Sequence, residues 1–177
     1  MKNFIEQISQ HLFADKSANT YAVLDGALIP DLLPKLYEYQ PEYECLYRGE
    51  LAPDIAEVAP YLVQIESGSH FTNWILENGW GKNWGIFATS AADLRQMRRH
   101  FRTFLIVHDE KGTPLYFRYY DPRVLRVYIP TCNGEELTKL FGSIISYVLE
   151  DENSNTALRF HIESGFMRRD EMQLTQS

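Results

Sequence analysis

The chain is poor in the residue types from which reactive centres and small stapled folds are built. Among its 177 residues are 2 cysteines and 5 histidines. Cys45 and Cys132 form no C-x-x-C pair. His11, His70, His100, His108 and His161 show no H-x-x-x-H spacing, so no locally encoded metal site exists. A domain of this length builds a core without disulfides, and two distant thiols suit a reducing compartment. No apolar run approaches the roughly 20 residues that span a bilayer. The N-terminus reaches Glu6 too early for the apolar region of a secretory signal. The expectation is a cytoplasmic protein.

Catalytic motifs are equally scarce. Ser67-Gly68-Ser69-His70 places a serine beside a histidine, but adjacent side chains of an extended segment point to opposite faces, and no G-x-S-x-G elbow is present. The glycines between Gly79 and Gly85 lack the lysine–hydroxyl ending of a P-loop and the G-x-G-x-x-G spacing. Nothing singles out a catalytic carboxylate pair among the 24 acids. With 17 lysines and arginines the net charge is −7, which argues against a general nucleic-acid binder.

What is present is apolar and aromatic. Hydrophobic residues make up 45% and aromatics 14%, ample for a packed core. The charge is uneven: residues 1–80 carry 4 basic and 12 acidic groups, residues 81–130 carry 9 and 4, and residues 131–177 carry 4 and 8. A basic middle in an acidic chain pairs internally or offers a basic face to an acidic partner.

Helical and extended segments alternate closely. Helices are expected at 3–13, 29–39 (with Pro30 in the first turn), 72–76, after Ser90, at 122–128 and after Asn133. Ser90 to Asp93 reads as a capping-box variant. Strands are expected at 20–25, 43–47, 59–65 and 84–88, with hairpins of 104–107 with 115–120 and of 145–149 with 157–162. The fold class that follows is α/β in the mixed α+β sense. It is a single domain whose mixed, largely antiparallel sheet is flanked by short helices, with residues 167–177 as a loosely held tail.

Three stretches are candidate binding sites. Trp80 and Trp84 lie in a glycine-rich loop and read either as core caps or as an aromatic contact patch. Arg95, Arg98, Arg99 and Arg102 lie within eight residues on the outer faces of one helix, the strongest electropositive patch. Arg118 to Arg126 combines tyrosine and arginine around Asp121-Pro122. Strand alternation would put Arg118 beside Tyr116 and Tyr120, with Phe117 and Tyr119 opposite. Asp121 would cap the next helix while its second oxygen accepts from an arginine. This corner reads as a structural ion pair or as an aromatic-rimmed docking site containing Arg118, Tyr120 and Arg123.

In order, Tyr21 to Ala27, Ala59 to Val63, Trp84 to Phe87, Leu94 to Arg102, Phe117 to Leu125 and Leu140 to Gly142 resemble the family catalogued as domain of unknown function 4123. The resemblance runs from about residue 20 to about 160, and Phe117 to Leu125 is its most specific block. It implies an adaptor chaperone of the bacterial type VI secretion system. Such a protein binds a toxic effector in the producing cell and helps load it onto the trimeric spike-tip protein. The resemblance implies no catalytic residue and no cofactor, and the histidine and cysteine spacing gives no reason to expect a metal. Many members carry a further C-terminal helical lobe; this chain ends soon after its last hairpin. The expected contact residues are Trp80, Trp84, Arg118, Tyr120 and Arg123, with Arg95, Arg98 and Arg99 as a second face. The expected partners are an effector and the spike-tip protein, with no nucleic acid and no membrane. The alternatives are an immunity-type protein that neutralises one toxin, and a cryptic hydrolase or nuclease.

Overall fold

The computed structural model describes residues 2–175. In chain order it contains α1 (Lys2–Leu12), β1 (Asn19–Asp25), α2 (Leu32–Tyr39), β2 (Tyr43–Cys45), α3 (Pro53–Val58) and β3 (Pro60–Ile65). Then come α4 (His70–Gly79), β4 (Gly85–Ser90), α5 (Leu94–Arg102), β5 (Ile106–His108), β6 (Pro114–Tyr116) and α6 (Pro122–Tyr128). A 3-10 turn (Ile129–Thr131), α7 (Gly134–Phe141), β7 (Ile144–Glu150), β8 (Thr156–Glu163) and β9 (Phe166–Gln173) complete it.

Seven strands form one sheet in the order β2-β3-β1-β4-β7-β8-β9, and β5-β6 forms a separate two-stranded sheet. The expected mixed, largely antiparallel sheet is antiparallel at every pairing among the described residues. The fold is thus a mixed α+β single domain.

Both faces of the large sheet are buried, so its central strands are continuous apolar runs and not alternations. Successive side chains go to opposite cores. Tyr21, Val23, Ile86, Ala88, Tyr147 and Leu149 face one core, closed by Met97 and Phe101 of α5, Leu125 of α6 and Leu140 of α7. Ala22, Leu24, Phe87 and Val148 face the other, closed by Ile8 of α1, Leu36 of α2 and Ile75 of α4. The buried tyrosines tie their hydroxyls to carbonyls: Tyr21 donates to Ala92 at 2.7 Å, Tyr119 to Phe101 at 2.9 Å and Tyr147 to Leu140 at 2.6 Å.

Several expected boundaries are corrected. Asp31 has φ 62°, a left-handed conformation no helix accommodates, so α2 begins after it and Pro30 lies outside. Ser90 belongs to β4, its hydroxyl donating to the Ser143 carbonyl at 2.8 Å. The true N-cap of α5 is Asp93, in a capping box with Gln96. α3 was not expected at all. Most of the supposed loose tail is instead β9, which pairs with β8 from Phe166 to Gln173; residues 176–177 lie outside the described residues. Beyond β9, Thr175 exchanges hydrogen bonds with the Gln7 side chain of α1.

Candidate functional site

One end of the sheet gathers three buried carboxylates from three elements. Asp25 ends β1, Asp121 caps α6 and Glu150 ends β7; all three are nearly inaccessible. A buried carboxylate is tolerated only when hydrogen-bonded and paired, and each of these is supplied with donors.

Asp25 Oδ1 accepts from the Ala27 backbone N–H at 3.0 Å, and Oδ2 accepts from Arg118 Nη2. The chain turns away at once through Gly26, where a Cβ would lie 2.4 Å from the Ala59 carbonyl oxygen. Asp121 Oδ1 accepts from the Arg123 backbone at 2.9 Å and from its Nε at 3.0 Å, while Oδ2 accepts from Nη2 at 2.8 Å. This is a helix cap and a forked ion pair made by one carboxylate, as the sequence led one to expect. Burial works to raise the Asp121 carboxyl. The Arg123 hydrogen bonds, with the charges of Arg123 and Arg118, outweigh it and hold the group below its ordinary 3.8.

Glu150 accepts from the backbone N–H groups of Gly81 and Asn83, so it fixes the tryptophan loop from below. Both residues have positive φ (84° and 57°), which turns their N–H groups inward. Burial pushes the Glu150 carboxyl up; the two N–H groups and the Arg126 charge act against that, and the Asp121 charge adds to it. The carboxylate that holds the tryptophan loop thus also feels the charges of the arginine-rich turn, some 35 residues further along the chain. Neither Asp25 nor Glu150 was singled out in the sequence. Their only local signal is an acid closing a buried apolar strand.

The aromatic half of the expected docking site is corrected. Trp84 is buried and packs against Trp74 at 5.3 Å. Trp80 is half-buried, stacked on Phe87 at 6.4 Å, with its indole N–H on the Ser154 carbonyl at 2.7 Å. Tyr120 is also buried; burial pushes its hydroxyl up to about 12, against the charge of Arg118. These rings are core caps and not an open aromatic patch. The strand alternation that grouped Arg118 with Tyr116 and Tyr120 does not hold, because β6 stops at Tyr116, but the Arg118 guanidinium does lie over the Tyr120 ring, 6.0 Å from its centroid. Tyr119 and Tyr120 are consecutive and both interior, which an extended strand between core and solvent cannot achieve. Only the guanidiniums reach out: the Arg118 side chain is 45% exposed and Arg123 52%.

The arginines of α5 divide similarly. Arg95 and Arg99 are exposed. Arg98 pairs with Glu44 at 2.6 Å, and Arg102 donates to the carbonyls of Cys45, Leu46 and Tyr47 at 2.9–3.1 Å. Half of this patch thus anchors α5 to the strand edge. Of the serine–histidine stretch, Ser69 caps α4 and His70 stacks on Tyr39. Among the described residues no three His, Cys, Asp or Glu side chains group as metal ligands, and no helix is long and apolar enough to cross a membrane.

The outward chemistry of the corner is that of a donor surface. Arg118 and Arg123 offer guanidinium N–H groups, already oriented by their acids, to carboxylates or carbonyls of a partner. An antiparallel α+β domain with a braced arginine corner is the class these features define. The profile of the family described as domain of unknown function (DUF4123) matches residues 20–139. The chain belongs to that family. The matched span contains the tryptophan loop and the arginine corner but stops short of the residue-160 limit expected from the sequence, leaving Glu150 outside. No curated protein and no solved structure matches the chain.

Proposed function

We propose that the protein is a cytoplasmic adaptor chaperone that binds a type VI secretion effector and helps load it onto the trimeric spike-tip protein, without catalysing a reaction itself. One observation carries the reading. The block most specific to the family resemblance, Phe117 to Leu125, folds so that its one acid, Asp121, and its two tyrosines are inside and its two guanidiniums outside. A preoriented donor surface suits recognition of a polypeptide.

The test is recovery of partners from a type VI-positive bacterium with the tagged chain. Co-recovery of one effector and the spike-tip protein supports the reading, and recovery of neither from abundant folded chain overturns it. Deletion separates this role from immunity, since loss of an adaptor stops delivery while the producer survives. Arg123→Ala and Arg118→Ala distinguish docking from bracing. Loss of capture beyond what the fall in melting temperature explains marks a docking residue; loss of both in proportion marks a structural one.

A further inference from the structure

The β5–β6 hairpin is the part of the fold that the large sheet does not use. All six of its strand residues are exposed, among them Ile106, Val107, Leu115 and Tyr116, the last at 74%. A two-stranded sheet is marginal in water, and apolar side chains on both of its faces are a liability unless something covers them.

Its two edges differ. Phe117 N–H donates to the Leu105 carbonyl and Asp109 N–H to the Thr113 carbonyl, both at 3.0 Å. Hydrogen-bonded pairs recur every second residue of an antiparallel ladder, so residues 105, 107 and 109 face β6. Ile106 and His108 therefore aim their N–H and C=O groups away from it, and no third strand among the described residues receives them. On the β6 side the corresponding outward residues are Pro114 and Tyr116. Proline has no N–H, so that edge is blunted while the β5 edge is open.

The surroundings state what kind of strand fits. From Leu94 to Arg118 the chain carries six basic and two acidic residues; of the six, Arg98 is paired with Glu44 and Arg118 with Asp25, leaving Arg95, Arg99, Arg102 and Lys111. Arg95 and Arg99 are exposed on the helix that leads into β5, and Arg102 meets only carbonyls. One of the two acids, Asp109, is held by its own turn, accepting from the Lys111 and Thr113 backbones at 2.8 Å. A second copy of the chain seated on β5 would bring two such basic runs together, which charge repulsion opposes.

We propose that the open edge of β5 takes up an extended segment of the partner protein as a third strand, a segment that alternates apolar with acidic side chains. Main-chain groups of Ile106 and His108 hold its backbone, the hairpin's apolar faces cover its apolar residues, and the α5 arginines answer its acids. This rests on the adaptor reading for the partner's identity, but not for the chemistry of the edge.

The test uses the full chain with two synthetic nine-residue peptides, one alternating valine with glutamate and one alternating valine with lysine. The glutamate peptide binds at least about tenfold more tightly and slows amide exchange at Ile106 and His108. His108→Pro, which removes an outward N–H and no internal ladder bond, weakens it about tenfold, as does Arg99→Glu on the exposed helix face. The helix variant keeps the test decisive where the proline variant disturbs the hairpin. Equal binding of both peptides, protection elsewhere, or indifference to both substitutions overturns the proposal. So does a dimer, seen by sedimentation, that His108→Pro dissociates. In cells the two ideas separate. Unchanged recovery of effector by both variants removes the β5 edge and leaves the adaptor reading intact. Recovery of no partner by the natural chain, with the peptide result as expected, removes the adaptor reading and leaves the edge.

Discussion

Arg118→Ala tests whether the corner braces the fold. Asp25 is 1% exposed, and its two oxygens take one backbone N–H and one guanidinium. Removing the guanidinium leaves one carboxylate oxygen without a partner in the interior. Breaking a fully buried pair costs about 3–5 kcal/mol. The Arg118 side chain is 45% exposed, so water reaches the pair and screening lowers the figure to about 2 kcal/mol. For a chain of this size that is a fall in melting temperature of about 4–8 °C. A double-mutant cycle isolates the cause. Asp25→Asn removes the charge but keeps an oxygen for the Ala27 N–H, so adding it to Arg118→Ala recovers part of the loss, with a coupling of about 1 kcal/mol or more. The assay is urea and thermal unfolding of the four proteins followed by circular dichroism. An unchanged melting temperature for Arg118→Ala, or strict additivity around the cycle, refutes the account of Asp25 as a buried charge held by Arg118.

The other expectations concern neighbouring elements. Glu150→Gln turns one acceptor into a donor facing a backbone N–H, costs about 1–3 kcal/mol and shifts tryptophan emission to the red as the loop loosens; unchanged emission and stability would count against it. Gly85→Ala puts a Cβ 2.2 Å from the Val23 carbonyl oxygen, forcing β4 from β1 at a cost of about 3 kcal/mol, measurable by urea unfolding. The pH dependence has two acid-side steps. Burial holds His100 below its ordinary 6.5, partly offset by its bond to the Leu140 carbonyl, so its contribution is present above 6.5 and is lost as pH falls toward its lowered folded value. Asp121, held below 3.8, contributes above that value and loses its contribution as pH falls through the folded one. Glu150, raised by burial, works the other way and adds stability as pH falls through its folded value. Melting temperatures from pH 7 downward check this, and His100→Leu removes the first step.

How much of this is written locally in the chain depends on whether the partner is near in sequence. Strands buried on both faces announce themselves as unbroken runs, as Tyr21 to Leu24 does. The Asp121–Arg123 clasp is two residues long and therefore legible. The Asp25–Arg118 pair spans 93 positions, and Glu150 reaches back 69 to Gly81; a single sequence carries no mark of either. β9 was missed because an edge strand exposed to water keeps charges where a core strand keeps valine: six of its eight residues are exposed. The turn after β6 was read as strand because tyrosine favours strands, a preference that burial of two consecutive rings overrides.

Pro114 has a consequence for stoichiometry. A strand added beside β5 finds β6 already occupied on its far side by a residue that cannot donate, so the hairpin accepts one guest from one direction. The growing edge then belongs to the guest, and the hairpin itself contributes no second seat of the same kind.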